Sequence, residues 1–230
     1  MSRVTRIVPR PDRGKVWIYV DDSFCTSVRE RTFPALDLAV GMNITCDELK
    51  ARESFIWKRL YQGSWQAEKS RLRRVSEIIE NLPLQVQTNV VGFGADSTDM
   101  IKEHPEESGA PDLELIYVPT GELVARVEVT GTERYKGERK YWIRPDKIQY
   151  AREHRDVPTW IAVHFAKPEE TLRFICPDIQ RQYEVCNRQI RSAVERYIEF
   201  DDHDPEVFGV KGFESWLRFT LLTTFGIPRD

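Results

Sequence analysis

Two acidic residues in the middle of the chain have the types and the spacing that a metal site needs. Asp112 follows Pro111, and Glu128 lies in the alternating run ELVARVEVT at 122–130. Carboxylate oxygens are ligands that Mg²⁺ and Mn²⁺ prefer, and the bound metal keeps several waters while phosphate oxygens complete its shell. Such a site can activate water for phosphodiester hydrolysis. The alternative is a hairpin that displays two solvated acids.

The setting of Glu128 favours a role beyond solvation. The period of a strand puts Leu123, Ala125, Val127 and Val129 on one face, which we predict to be the core face, and Val124, Arg126, Glu128 and Thr130 on the other. This strand is too apolar for the edge of a sheet, and the helix and strand that follow predict cover on both faces. A carboxylate that is half-buried between such layers must be paired or must hold a cation.

The order of these elements resembles a known superfamily. A helix, then Pro111-Asp112, then Glu128-Val129-Thr130 at the end of the next strand, then a helix and another strand, is similar to the plan of the PD-(D/E)XK nuclease-like superfamily over residues 64–176. The resemblance implies a restriction-endonuclease-like fold, Asp112 and Glu128 as ligands of Mg²⁺ or Mn²⁺, and a metal-dependent DNA endonuclease.

The chain departs from that plan at one position, because Thr130 stands where the superfamily has a lysine. Three interpretations stay open. Lys147 in the following helix could supply the missing cation, with Lys136 or Lys140 as further choices. The Thr130 hydroxyl could position water directly. In the third, the fold has lost catalysis and binds DNA or a protein partner.

A basic segment precedes the two acids. Residues 51–74 hold seven Lys and Arg against two Glu, interleaved with Phe55, Trp57, Tyr61 and Trp65. Cations that meet phosphates beside rings on which bases stack are typical of nucleic-acid surfaces. The predicted DNA contacts are Trp57, Lys58, Arg59, Trp65, Arg71, Arg73 and Arg74. The alternative is a pair of amphipathic helices with core aromatics and solvated cations.

The remaining pattern predicts two domains. Residues 1–62 form a small basic module, in which VWIYV, DDS and FCTSVR predict a β-hairpin, and Thr45 with Glu48 predicts the capped start of a helix. This region resembles the N-terminal part of RecX-type regulators. Residues 63–230 are predicted as an α/β domain with a mixed central sheet flanked by helices. Its predicted helices are 64–81, from Pro145, 178–199 and 212–225; its predicted strands are 113–118, 122–130, 159–166 and 172–176.

Composition supports a globular chain. It is 40% hydrophobic and 31% charged and has no apolar run long enough to cross a bilayer, so we expect a cytoplasmic protein without a membrane partner. The four cysteines form no CxxC pair, which predicts reduced thiols rather than zinc ligands or a disulfide. The apolar terminal helix predicts either core packing or the interface of a homodimer.

Overall fold

The computed structural model describes residues 2–30, 32–91, 110–134, 140–190 and 193–226, without the side chains of 57, 58, 60–62, 64, 65, 134 and 193. The chain divides into two compact units, Met1–Ser64 and Trp65–Asp230. Among the described residues, no helix is both long and apolar enough to cross a membrane.

The first unit contains a three-stranded antiparallel sheet. Its strands are β1 (Val4–Arg10), β2 (Lys15–Val20) and β3 (Ser23–Arg29), in that order. The predicted hairpin corresponds to β2 and β3, and β1 is an additional strand that the sequence analysis missed. The inner face of the sheet buries Val16, Ile18 and Val20.

A disulfide joins Cys25 of β3 to Cys46, and the expectation of four reduced thiols is therefore wrong for this pair. The sheet brings the two Cα atoms to 5.6 Å although 21 positions separate them in the sequence. No local spacing motif reveals such a contact. The cytoplasmic location stays a prediction, and a structural disulfide is uncommon in a reducing compartment.

A single long helix, α1 (Cys46–Glu80), replaces the two helices predicted on either side of Gly63. Its capping box is as predicted: the Thr45 amide donates to Glu48 Oε2 over 2.8 Å, and the Glu48 amide donates to Thr45 Oγ1 over 3.2 Å. One glycine inside a helix costs only about 1 kcal/mol, so good helix formers on both sides keep the helix continuous through Gly63.

The second unit is built on a six-stranded mixed sheet, which confirms the predicted fold class. The strand order is β12-β9-β8-β6-β5-β4, with β6 and β8 parallel and the other neighbours antiparallel. The strands are β4 (Val86–Val90), β5 (Leu113–Tyr117), β6 (Glu122–Arg134), β8 (Thr159–Lys167), β9 (Thr171–Ile175) and β12 (Val207–Phe208). The strands predicted near 113, 122, 159 and 172 are confirmed, while β4 and β12 were not predicted.

Both faces of this sheet are covered. One face packs against α1 and against α3 (Val210–Phe225) through the buried residues Val75, Ile79, Phe213, Leu217 and Leu221. The other face packs against α2 (Pro145–Glu153) and a second small sheet through Tyr141, Ile143, Ile148, Ile198 and Phe200. The central strands β6 and β8 are therefore buried between two layers.

The helix predicted over 178–199 is wrong. The structure has β10 (Cys186–Ile190) and β11 (Ala193–Asp201) there, and β11 pairs with β7 (Lys140–Ile143). The pairing with a distant strand and the burial of Ile198 and Phe200 override the helical propensity of this polar stretch. The acidic run at 201–204 is a turn, in which Asp202 accepts hydrogen bonds from Tyr141 and Arg173.

Gly131 permits the close parallel pairing of β6 and β8. Its φ is +125°, and a Cβ at this position would lie 2.0 Å from the carbonyl oxygen of His164. A side chain here would be strained by its backbone conformation and would also collide with the backbone of a buried strand.

Gly131→Ala should lower the free energy of unfolding of the second unit by at least about 2 kcal/mol, because strain and a backbone clash act together. Gly121→Ala is the matched control: Gly121 has φ +72°, but a Cβ there would meet nothing within 4 Å. It should cost about 1 kcal/mol from backbone strain alone. Urea denaturation of both variants measures the difference, and equal costs would contradict the close-approach argument.

Candidate active site

Asp112 immediately precedes β5, next to Glu128 on the antiparallel neighbour β6. β5 begins with Leu113 opposite Val127 of β6, so one further step along the antiparallel ladder puts Asp112 opposite Glu128, on the same face. Residues paired in this way have Cβ atoms about 4.5–5.5 Å apart. The carboxylate of Asp112 also accepts a hydrogen bond from the Val129 amide over 2.8 Å, which holds it against β6.

Glu128 is an acid at the centre of the covered sheet. It is only 8% exposed, and its pairing partner on β8 is Ile161, so its neighbour on that side is apolar. Its Oε1 lies 2.9 Å from Lys147 Nζ, whereas its Oε2 is buried without a hydrogen-bond partner. Burial raises the pKa of Glu128 to about 8, the charge of Asp112 adds to the rise, and Lys147 and Arg144 oppose it.

Lys147 reaches Glu128 from α2. This helix begins at Pro145, whose fixed φ suits a first helical turn, and its buried Ile148 holds it on the sheet. Of the other two lysines considered, Lys136 lies outside the described residues, and Lys140 forms an ion pair with Glu199. Lys147 is therefore the one of the three candidates that the described structure brings to the acids. Thr130 is half-buried, two residues after Glu128 on the same face.

Helix α1 contributes two residues that the sequence analysis did not assign to this site. Burial and then the charge of Asp112 raise the pKa of Glu68, although Glu68 as a whole residue is exposed. Burial lowers the pKa of Arg71, while Glu68 and Asp112 oppose that shift. Residues three apart lie on the same side of a helix. The spacing of Glu68 and Arg71 was therefore the sequence signal that could have assigned both to one site.

The other residues predicted to contact DNA have different surroundings. The side chains of Trp57, Lys58 and Trp65 lie outside those that the structure describes, and Arg59 and Arg73 are exposed. Arg74 forms two hydrogen bonds to Glu170, of 2.7 and 2.8 Å, and Glu170 in turn contacts Nε2 of the buried His164 at 3.0 Å. Arg74 and His164 lower the pKa of Glu170 to about 2. Arg71 and Arg74 thus already interact with carboxylates.

The acids fit a divalent cation in the chemistry of their donors. In the described part of the chain, no group of three or more His, Cys, Asp or Glu residues is arranged to hold a metal ion. The pair Asp112 and Glu128 nevertheless offers carboxylate oxygens, and the buried Oε2 of Glu128 lacks a partner. A cation with water or phosphate in the rest of its shell would satisfy that oxygen.

Comparison with known proteins gives a weak structural similarity. No family model matches the chain, no curated protein matches it, and the RecX-like resemblance of the first unit is unsupported. Among solved structures, the chain is similar to the Holliday junction resolvase of Archaeoglobus fulgidus, an archaeal hyperthermophile. The match has 12% sequence identity and a TM-score of 0.36, and it covers 64% of this chain and 94% of the resolvase.

Glu128 should make the stability of the second unit depend on pH. With a pKa of about 8 in the folded state against 4.5 normally, it keeps a proton between about pH 5 and 8 that the unfolded chain has released. The folded state then binds more protons, so stability falls as pH rises through this range. Glu128→Gln should flatten this slope, whereas Glu122→Gln, at an exposed position of β6, should keep it. Denaturation curves without divalent metal test this, and parallel wild-type and Glu128→Gln profiles would refute it.

Proposed function

We propose that the protein is a metal-dependent DNA endonuclease that hydrolyses phosphodiester bonds. The observation that carries the proposal is the pair Asp112 and Glu128, with the Lys147 ammonium on one oxygen of Glu128 and a buried, unpartnered oxygen on its other side. A buried acid with an unsatisfied oxygen is costly for a fold that uses it only for stability. The cost is explained if that oxygen binds a ligand during function.

Each residue of the site has a proposed role. Asp112 and Glu128 would hold Mg²⁺ or Mn²⁺, which when bound supplies Lewis acidity and acidifies a water molecule. Lys147 orients Glu128 and places a positive charge where negative charge develops on the phosphate. The Thr130 hydroxyl, on the same face, forms a hydrogen bond with the attacking water, as its donor or its acceptor. Glu68, whose pKa the charge of Asp112 raises, is a further candidate to orient water.

Binding of the substrate completes the proposal. Arg59 and Arg73 of the basic segment are exposed, and they would contact phosphates. A homodimer stays a prediction, because cutting both strands of a duplex with one site per chain needs two chains or two encounters. The apolar side of α3, which suggested a subunit interface, buries Phe213, Leu217 and Leu221 inside the unit instead.

A second candidate is a nuclease-like fold that binds DNA or a protein without cutting. Lys147, Arg71 and Arg144 place positive charge around Glu68, Asp112 and Glu128, so the site has an internal balance of charge without a metal. Thr130, which cannot carry charge, also favours this candidate. The two candidates differ in whether a divalent metal binds.

Metal binding should raise the melting temperature of the wild type, because a ligand bound only by the folded state stabilises it by about 2.7 kcal/mol at 100 times its Kd. Asp112→Asn and Glu128→Gln should lose this stabilisation and any plasmid cleavage. Without metal they should be as stable as wild type or more so, because they relieve repulsion between two close acids. Glu122→Gln is the matched control and should behave as wild type. If Mn²⁺ leaves all four melting curves unmoved and no variant differs on plasmid DNA, the binding-only candidate replaces the endonuclease.

Lys147→Met tests the role of the lysine separately from that of the metal. Removing the ammonium leaves Glu128 buried without its cation, so the apo protein should lose up to about 3 kcal/mol, limited because Glu128 can take up a proton. Mn²⁺ should then stabilise the variant more than the wild type, because the ammonium no longer competes for Oε1. Cleavage should fall by at least about 100-fold. Lys211→Met, at an exposed position of α3, is the control; a variant that cuts DNA normally would exclude a catalytic role for Lys147.

A further inference from the structure

The outer face of the first unit carries a continuous row of arginines and aromatic rings. The Arg6 guanidinium lies 4.1 Å from the ring centre of Tyr19, and the Arg10 guanidinium lies 4.3 Å from that of Trp17. Phe24 stands between the two rings, edge-on to each, with centroids 5.8 Å apart in both cases. The row therefore runs Arg6, Tyr19, Phe24, Trp17, Arg10 across all three strands.

This row faces solvent. Phe24 is 56% exposed, and Arg6 and Arg10 are exposed as well, while the neighbouring Val16 and Ile18 point to the buried inner face. A large ring that stays in water beside two further aromatic rings is unusual for a sheet that already has an apolar core on its other side. The first unit therefore has an exposed aromatic surface that its own fold does not use.

The charge of the face has one sign. The three strands β1, β2 and β3 contain four Lys and Arg residues and no Asp or Glu. The nearby acids lie in the turns: Asp12 contacts Arg13 at 3.7 Å, and Asp21 accepts a hydrogen bond from the Arg3 amide. The face therefore combines aromatic rings with positive charge. A ligand that complements it has flat rings joined by negatively charged groups.

We propose that this face binds a single-stranded polynucleotide. Unpaired bases stack on Phe24 and on the guanidinium planes of Arg6 and Arg10, and the phosphates pair with Arg6, Arg10, Lys15 and Arg29. In a duplex the base faces are already stacked on one another, so a flat row of rings can reach them only in an unpaired strand. The residues of this surface are separate from the carboxylate site, and the proposal does not depend on the endonuclease.

The test uses the full chain in EDTA, so that cleavage cannot consume the probe. Fluorescence anisotropy measures binding of a labelled oligothymidylate of about 15 nucleotides, an oligouridylate of equal length and a duplex of the same length. Both single strands should bind at least about tenfold more tightly than the duplex. Phe24→Ala and the pair Arg6→Ala with Arg10→Ala should each weaken binding to single strands by about tenfold. The arginine pair should also lower the salt slope by about 1.4, at about 0.7 per phosphate contact.

Two control variants make the test specific. Phe219→Ala removes another exposed phenylalanine, which is 66% exposed on α3, and Arg196→Ala with Lys211→Ala removes the same charge from exposed positions of the second unit. Both controls should bind oligothymidylate as wild type does. The proposal is overturned if the face variants bind like their controls while circular dichroism shows them folded, or if the duplex binds as tightly as the single strands. Metal-dependent melting, measured separately, reports on the carboxylate site whatever the outcome here.

Discussion

The second unit is organised around an acid, Glu128, at the centre of a sheet that is covered on both faces. An ionised carboxylate in the middle of a sheet covered on both faces costs several kcal/mol unless a cation accompanies it. Lys147 can accompany it only because α2 packs on that face directly after β7, with Ile148 buried beside the lysine. Glu128, in turn, occupies a central strand whose other face is fully apolar. An acid therefore occupies a position where an aliphatic side chain would avoid this cost.

The two carboxylate oxygens of Glu128 have different surroundings. One oxygen is held by an ammonium that fixes the orientation of the side chain, and the other has no partner within the protein. Asp112 raises the cost of charging Glu128, while its own carboxylate is held by the Val129 amide. The acids are thus fixed in position, while burial raises the pKa of both and disfavours their charged forms. That combination is typical of sites whose ligand supplies the missing positive charge.

The two units use aromatic residues in opposite ways. In the second unit, Trp160 packs against Phe213 and Trp216 in the core, where the rings contribute buried area. In the first unit, Trp17, Tyr19 and Phe24 remain on the outer face, where Tyr19 and Trp17 make cation–π contacts with Arg6 and Arg10. The rings of the second unit thus stabilise a core, whereas those of the first unit form part of an exposed surface.

Local patterns in the sequence were sufficient for several elements. The alternation in β6, the turn before it, Pro145 at the start of α2 and the capping box of Thr45 and Glu48 depend on near neighbours, so the residues themselves determined them. Tertiary structure decided the rest. Only the folded structure shows that Lys147 reaches Glu128, that Glu68 and Arg71 lie near enough to Asp112 for their charges to interact, and that Cys25 meets Cys46. The stretch 178–199 was predicted as a helix, yet β10 and β11 form there, because β11 pairs with the distant strand β7 and buries Ile198 and Phe200. Each of these outcomes joins residues far apart in sequence, and such contacts are determined by packing and strand pairing across the fold, which no local period records.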